Sequence, residues 1–202
     1  MDRRYWRVLL SLILAGGCAS AGPPPAASAA PPAEEPLRIA PESIIWSAER
    51  RLRWDDFGGR PDPMSEAAAM TVYLLSYDGT CVANVFDRRV FSAFLPDQSW
   101  VRTSVLLARP DVNRHALAHE QTHFDLSEVS ARRMRRALAA LADPCSLTDE
   151  ALNGIVDPFI RDDFTRQRRY DTDTLNGSHS AWQRDWEIRV DRELRELAAF
   201  VR

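Results

Sequence analysis

Leu117, Phe124, Ala131 and Leu138 stand seven residues apart, with Met134 and Leu141 beside them. That recurrence draws one apolar stripe and predicts a helix from about 112 to 142. Asp111, after Pro110, can cap its start, and Asp143-Pro144 ends it. The rest of the fold must be arranged around an element of this length.

Upstream the pattern is that of strands. Ser43-Ile44-Ile45-Trp46 reads as a short strand, and Thr71–Leu75 as a longer one closed by the turn residues Asp78-Gly79. Cys81–Phe86 and Val90–Leu95 flank Asp87-Arg88-Arg89 and read as a hairpin. Downstream the helical period continues. Ser146-Leu147-Thr148-Asp149 resembles a capping box for a segment from about 148 to 170. Pro158 predicts a kink inside it, with Asp157 capping a restarted helix. Tyr170–Ser180 reads as a polar turn. Trp182, Trp186, Val190, Leu194, Leu197 and Val201 mark a last amphipathic helix. A β-rich N-terminal part, a long helix and two further helical segments predict an α+β domain over 42–202.

The chain of 202 residues is long enough for one core. Its single apolar run, Val8–Ala15, is short for a bilayer span. Arg3, Arg4 and Arg7 precede that run, and small residues follow it, so residues 1–17 read as a secretory signal peptide. Ala15-Gly16-Gly17-Cys18 resembles a bacterial lipobox, which implies cleavage before Cys18 and a lipid on its sulfur. A plain signal peptide is the alternative. Residues 18–41 are rich in Pro and Ala and read as an extended tether. The absence of Asp at position 19 resembles lipoproteins of the outer membrane. The expected location is therefore the bacterial cell envelope, lipid-anchored at the periplasmic face of the outer membrane. Export is oxidising, so Cys81 and Cys145 are expected to pair. A net charge of -3 offers no basic field for nucleic acid. All 26 basic residues are Arg, which reads as coding bias. The Arg runs at 132–136 and 166–169 read as solvated helix faces, and the Trp residues as core.

His119-Glu120-Gln121-Thr122-His123 lies inside the long helix. Residues four apart share a helix face, so both imidazoles can reach one Zn²⁺ at about 2.0–2.1 Å. Glu120 is rotated by roughly 100° and stands beside the metal. There it can take a proton from metal-bound water, whose pKa falls toward about 7. That is the peptidase arrangement of HExxH. His115 is one turn too far along the axis for one metal to touch all three imidazoles.

The third ligand must come from elsewhere. Glu128 points roughly 160° from the mean imidazole direction, toward Arg132 and Arg135, and reads as an ion pair. Asp125 points away on the other side. If the segment after 148 returns antiparallel, the stretch after Tyr170 reaches the level of HExxH. The candidates there are His179, Asp171 and Asp173. His suits zinc and the chain has 4, so His179 is placed first. Tyr170 could hydrogen-bond an oxyanion in the transition state, or simply pack.

The residues also resemble a family, the bacterial domains of unknown function described as predicted secreted zinc-dependent proteases. Arg51–Asp62 looks like its Leu-x-Trp-x-Asp-Phe start, and Ala67–Thr71 like its first strand. His119–Glu128 with Ala131-Arg132 matches its HEQxHFDxxExxAR core, and Tyr170–Gly177 looks like its YDxxTxHG loop. The resemblance implies a zincin-like fold, a zinc cofactor and a peptide or protein substrate. Where the family's loop has His before Gly, this chain has Asn176.

Three functions follow as expectations. One is a membrane-tethered zinc peptidase with Glu120 as general base. A second, to which Asn176 points, is a non-catalytic zincin-like envelope lipoprotein used for binding or assembly. A third is an amidase acting on cell-wall peptides by the same chemistry.

Overall fold

A computed structural model of the chain describes residues 3–11, by their backbone, and 42–201. Cys18 and the 18–41 tether lie outside the described residues. Strands come first: β1 (Arg3–Ser11), β2 (Ile44–Ile45), β3 (Ala69–Met70), β4 (Tyr73–Val82), β5 (Val85–Phe94) and β6 (Trp100–Val101). Helices follow: the short α1 (Thr103–Leu106), then α2 (Pro110–Ala139), α3 (Asp149–Thr174) and α4 (Ser180–Glu196). The protein is a mixed α+β fold.

One sheet has the order β1-β4-β5-β2, and β3 pairs with β6 in a second. β1 lies within the stretch read as an export leader. It runs antiparallel to β4, with Arg3 opposite Cys81 and Ser11 opposite Tyr73. Loss of residues 1–17 would leave β4 at the sheet's edge.

The hairpin differs from its sequence reading. β4 runs straight through Asp78-Gly79, and the turn is Ala83-Asn84, both with positive φ (48° and 64°). Two left-handed residues make the tight two-residue turn that matches strand twist. Gly79 is needed for another reason. A Cβ there would meet the Phe86 ring and the Tyr77 hydroxyl at 2.8 Å, so the glycine marks close packing within a strand.

Tyr73, Leu75 and Tyr77 alternate onto one face of β4, beside Val90 and Phe94 of β5. This face packs on Phe124, Ala131, Met134 and Leu138 of α2 and on Leu152, Val156 and Ile160 of α3. A second cluster joins Leu126 and Val129 of α2 to Tyr170, Trp186, Val190 and Leu197. So α2 has the sheet and α3 on one side and α4 on the other. From His119 to Arg132 every residue is buried, where the sequence predicted a single apolar stripe.

Most polar side chains of that stretch are partnered, with His119 Nδ1 and Glu120 Oε2 as exceptions. Glu128 receives Arg132 Nε at 2.8 Å and Arg135 Nη1 at 2.9 Å. Those arginines also donate to the carbonyls of Leu194 and Phe200, so they hold the C-terminal segment rather than face solvent. Asp125 accepts from Trp46 Nε1, Arg51 Nη1 and Gln121 Nε2 at 2.8–2.9 Å. Gln121 in turn accepts the Leu52 amide at 2.7 Å. Gln121 and Asp125 thus fasten the Trp46–Leu52 segment onto α2.

Helix ends also shift from the sequence reading. α2 starts at Pro110, with Arg109 rather than Asp111 as its cap residue. Pro suits the first helical position because its missing N–H needs no partner there. α3 is capped by Thr148, whose side chain accepts the Ala151 amide. It does not restart at Pro158. Pro158 leaves the Gly154 carbonyl without its helical donor, but Gly154 is exposed and free to meet water. α3 then continues to Thr174, past the predicted end near 170, and closes on Leu175 at φ 50°. Cys81 and Cys145 are disulfide-bonded, tying β4 to the turn before α3 with Cα atoms 5.8 Å apart.

Candidate metal centre

α3 returns along α2 and delivers Asp171, on its last turn, to the HExxH face. Asp171 Oδ1 lies 3.0 Å from His123 Nε2 and 3.3 Å from His119 Nε2. The two Nε2 atoms are 3.2 Å apart. These three donors make a small triangle, the one group among the described residues with spacing suited to a metal ion. Ligands held tetrahedrally at 2.0–2.1 Å from a zinc ion sit about 3.3 Å from one another. The donor set therefore fits a zinc-sized cation.

Hydrogen bonding argues the same way. Gln167 Nε2 donates to the His123 carbonyl, which fixes Oε1 as the amide oxygen facing His123 Nδ1 at 2.7 Å. An amide oxygen only accepts, so Nδ1 carries hydrogen. In neutral imidazole Nε2 then presents a lone pair, and it presents it to a carboxylate oxygen. Two electron-rich atoms at 3.0 Å need a cation or a proton between them. In the metal-free chain a proton takes that role. Burial works against a charged His123, but the Asp171 carboxylate outweighs it and pushes His123 up to about 9. Burial likewise works against a charged Asp171, yet the His123 and His119 imidazoles hold its carboxyl well below the usual carboxylate range.

Glu120 is buried beside this triangle, and its Oε2 has no hydrogen-bond partner among the described residues. Its backbone carbonyl accepts from Thr71 Oγ1 at 3.2 Å. An unpartnered buried carboxylate oxygen next to a cation-sized triangle is placed to receive a proton.

The family model for bacterial proteins of unknown function (DUF922) matches residues 62–180. The chain belongs to this family. The match spans His119, Glu120, His123 and Asp171, and begins after the Trp46–Leu52 segment. No curated protein and no solved structure matches the chain.

His179, placed first from sequence as the third ligand, is not in the triangle. It is the N-cap of α4: its Nδ1 accepts the Trp182 amide at 3.3 Å, and its ring stacks on Trp182 at 3.7 Å. The third position goes to Asp171 because α3 stays helical to Thr174. Asp173 turns away and accepts from Trp186 Nε1 at 3.1 Å. Asn176 is exposed, in the left-handed turn after α3.

Tyr170 does not face open space as a transition-state donor would. It is fully buried and its hydroxyl contacts the His119 carbonyl at 3.4 Å. Its ring stacks on His119 at 4.6 Å and meets His123 edge-on at 4.9 Å. Burial pushes its phenol well above the ordinary value. Tyr170 is the wall that orients both imidazoles. His115 donates from Nε2 to the Gly177 carbonyl at 2.7 Å, which pins the turn above His119.

Gln167 and Asp163 were missed in the sequence. Asp163 is fully buried and accepts from the Tyr73 hydroxyl at 2.5 Å and from Ser130 Oγ at 2.8 Å. A signal was available. Leu152, Val156, Ile160, Asp163, Gln167, Tyr170 and Thr174 are the buried positions of α3, each three or four residues after the last. Polar residues in phase with an apolar face announce buried partners.

Proposed function

We propose that this chain is a zinc-dependent peptidase of the bacterial cell envelope, zincin-like in fold. His119, His123 and Asp171 would hold the metal. The observation that carries the reading is the triangle of 3.0–3.3 Å between their donor atoms, with unpartnered Glu120 Oε2 beside it. Bound there, Zn²⁺ would supply Lewis-acid polarisation of a carbonyl oxygen and a water pKa lowered toward about 7. Glu120 Oε2 takes a proton from the attacking water and returns it to the departing amine. Gln167 holds the His123 tautomer, and Tyr170 holds the ring planes. The substrate is a peptide or protein, with cell-wall peptides as the envelope's own example. The leader, Cys18 and the tether support a domain anchored by lipid at the periplasmic face of the outer membrane.

A second reading is a non-catalytic scaffold built on the same centre. Burial favours it. The His119 and Asp171 side chains are 9% and 18% exposed. The depression of about 210 Å³ nearby is lined by Asp173, Trp182, Asp185, Trp186 and Arg189, not by the triangle.

One experiment separates the two. Zinc content and hydrolysis of casein and of muropeptides are measured for the full chain and for Glu120→Gln. The peptidase reading expects zinc in both and a loss of hydrolysis of about 10²–10⁴-fold in the variant. Equal hydrolysis by both would refute Glu120 as the base. Zinc in both with hydrolysis in neither would establish the scaffold.

A further inference from the structure

Zinc ligation through Nε2 obliges each imidazole to carry hydrogen on Nδ1, and that hydrogen needs an acceptor. His123 has one, Gln167 Oε1. His119 Nδ1 is buried with no hydrogen-bond partner among the described residues. So is one acceptor close to it, Gln183 Oε1. The two flank a single point. A Cβ built on Gly177 would lie 3.1 Å from His119 Nδ1 and 3.5 Å from Gln183 Oε1. Only a residue without a side chain leaves that gap clear.

The orientation of Gln183 is determined by its other contacts. Its Nε2 donates to the His115 carbonyl at 3.1 Å and to Glu187 Oε1 at 3.0 Å. Both of those are acceptors, so the remaining atom, the one near Gly177 and His119 Nδ1, is the amide oxygen. Gln183 is 1% exposed, as is Gln167. A buried amide oxygen without a donor is costly, by about 1–3 kcal/mol.

We infer that Gln183 is a positioning residue for His119. Its side-chain oxygen takes the His119 Nδ1 hydrogen, directly or across one water, as Gln167 takes that of His123. The centre would then rest on a glutamine from each of the two long helices packed against α2, Gln167 from α3 and Gln183 from α4. This rests on the proposed metal site, and it adds that α4, beyond the stretch matched to the family, takes part in it.

The test compares zinc affinity, by chelator competition, for the full chain, Gln183→Leu and Gln183→Glu. Leu removes the acceptor. Glu restores it but can no longer donate to the His115 carbonyl or Glu187. Gln183→Leu is expected to bind zinc about 10–100-fold more weakly, and Gln183→Glu to recover most of that loss. A purely structural role would leave Glu as impaired as Leu, since neither repairs the donated bonds. Equal affinity in the Leu variant and the parent, or no recovery with Glu, overturns the inference while leaving the metal site intact. Failure of the parent chain to bind zinc overturns both. Should Gln183→Leu not fold, nitrogen NMR of the zinc-loaded parent decides. A His119 Nδ1–H protected from exchange supports the role, and a freely exchanging one overturns it.

Discussion

Asp171 Oδ1 faces His123 Nε2 at 3.0 Å, while the other nitrogen of that ring is committed to Gln167. An acceptor-only carboxylate thus meets a nitrogen whose hydrogen lies on the far side of the ring. The contact is stable when something positive joins it. The proposed metal site follows from that pairing.

The assignment of the third ligand is directly testable. Asp171→Ala should lose stoichiometric zinc, whereas His179→Ala should keep it, since His179 is occupied in capping α4. Metal analysis of the two purified variants reads the difference. Zinc lost from the His179 variant and kept in the Asp171 variant would reverse the assignment.

Without metal, the pair should make stability depend on pH. His123 is raised from its ordinary value to about 9. A group raised in the folded state contributes stability below its unfolded pKa and loses it as pH rises through the folded one. The contribution should therefore be complete below about pH 6.5 and disappear as pH rises through about 9. Asp171, held low, contributes above its unfolded value, and its share disappears only in strong acid. Melting temperatures in chelator between pH 6 and 10 should fall across the alkaline window. Asp171→Asn should flatten that fall.

Two glycines should respond with opposite signs. Gly177 has φ 78°, and a Cβ there would press on His119 Cγ and Nδ1 at 3.1 Å. Gly177→Ala should cost about 1–2 kcal/mol from backbone strain and weaken zinc binding through the displaced ring. Gly154, helical and with open space around it, should gain about 0.5–1 kcal/mol on change to Ala. Denaturant titration of both variants, with zinc competition for Gly177→Ala, checks the pair.

Much of the fold was legible where the physics is local. The change from alternating to helical patterning marks the passage from strands to helices, and α2 and α4 follow their apolar periods. The Glu128–Arg132 pair follows from four-residue spacing alone. Asp78-Gly79 reads as the end of a strand that in fact runs on to Val82, and Asp87-Arg88-Arg89, read as the hairpin turn, lies inside β5; the real turn holds Ala83, a residue with no preference for positive φ. Pro158 was misread as a restart because its cost depends on whether the orphaned Gly154 carbonyl can reach water, which only the packed helix reveals.

The same division runs through the proposed metal site. His119 and His123 share one face because a helix repeats every 3.6 residues, and Glu120 stands beside them for the same reason. No further contact is needed, so the sequence alone determined this half of the site. Asp171, Gln167 and Gln183 were decided by tertiary structure. Their placement depends on how far α3 continues past Tyr170 and on where α3 and α4 cross α2. Those crossings are set by packing between side chains distant in sequence, of which no local period keeps a record.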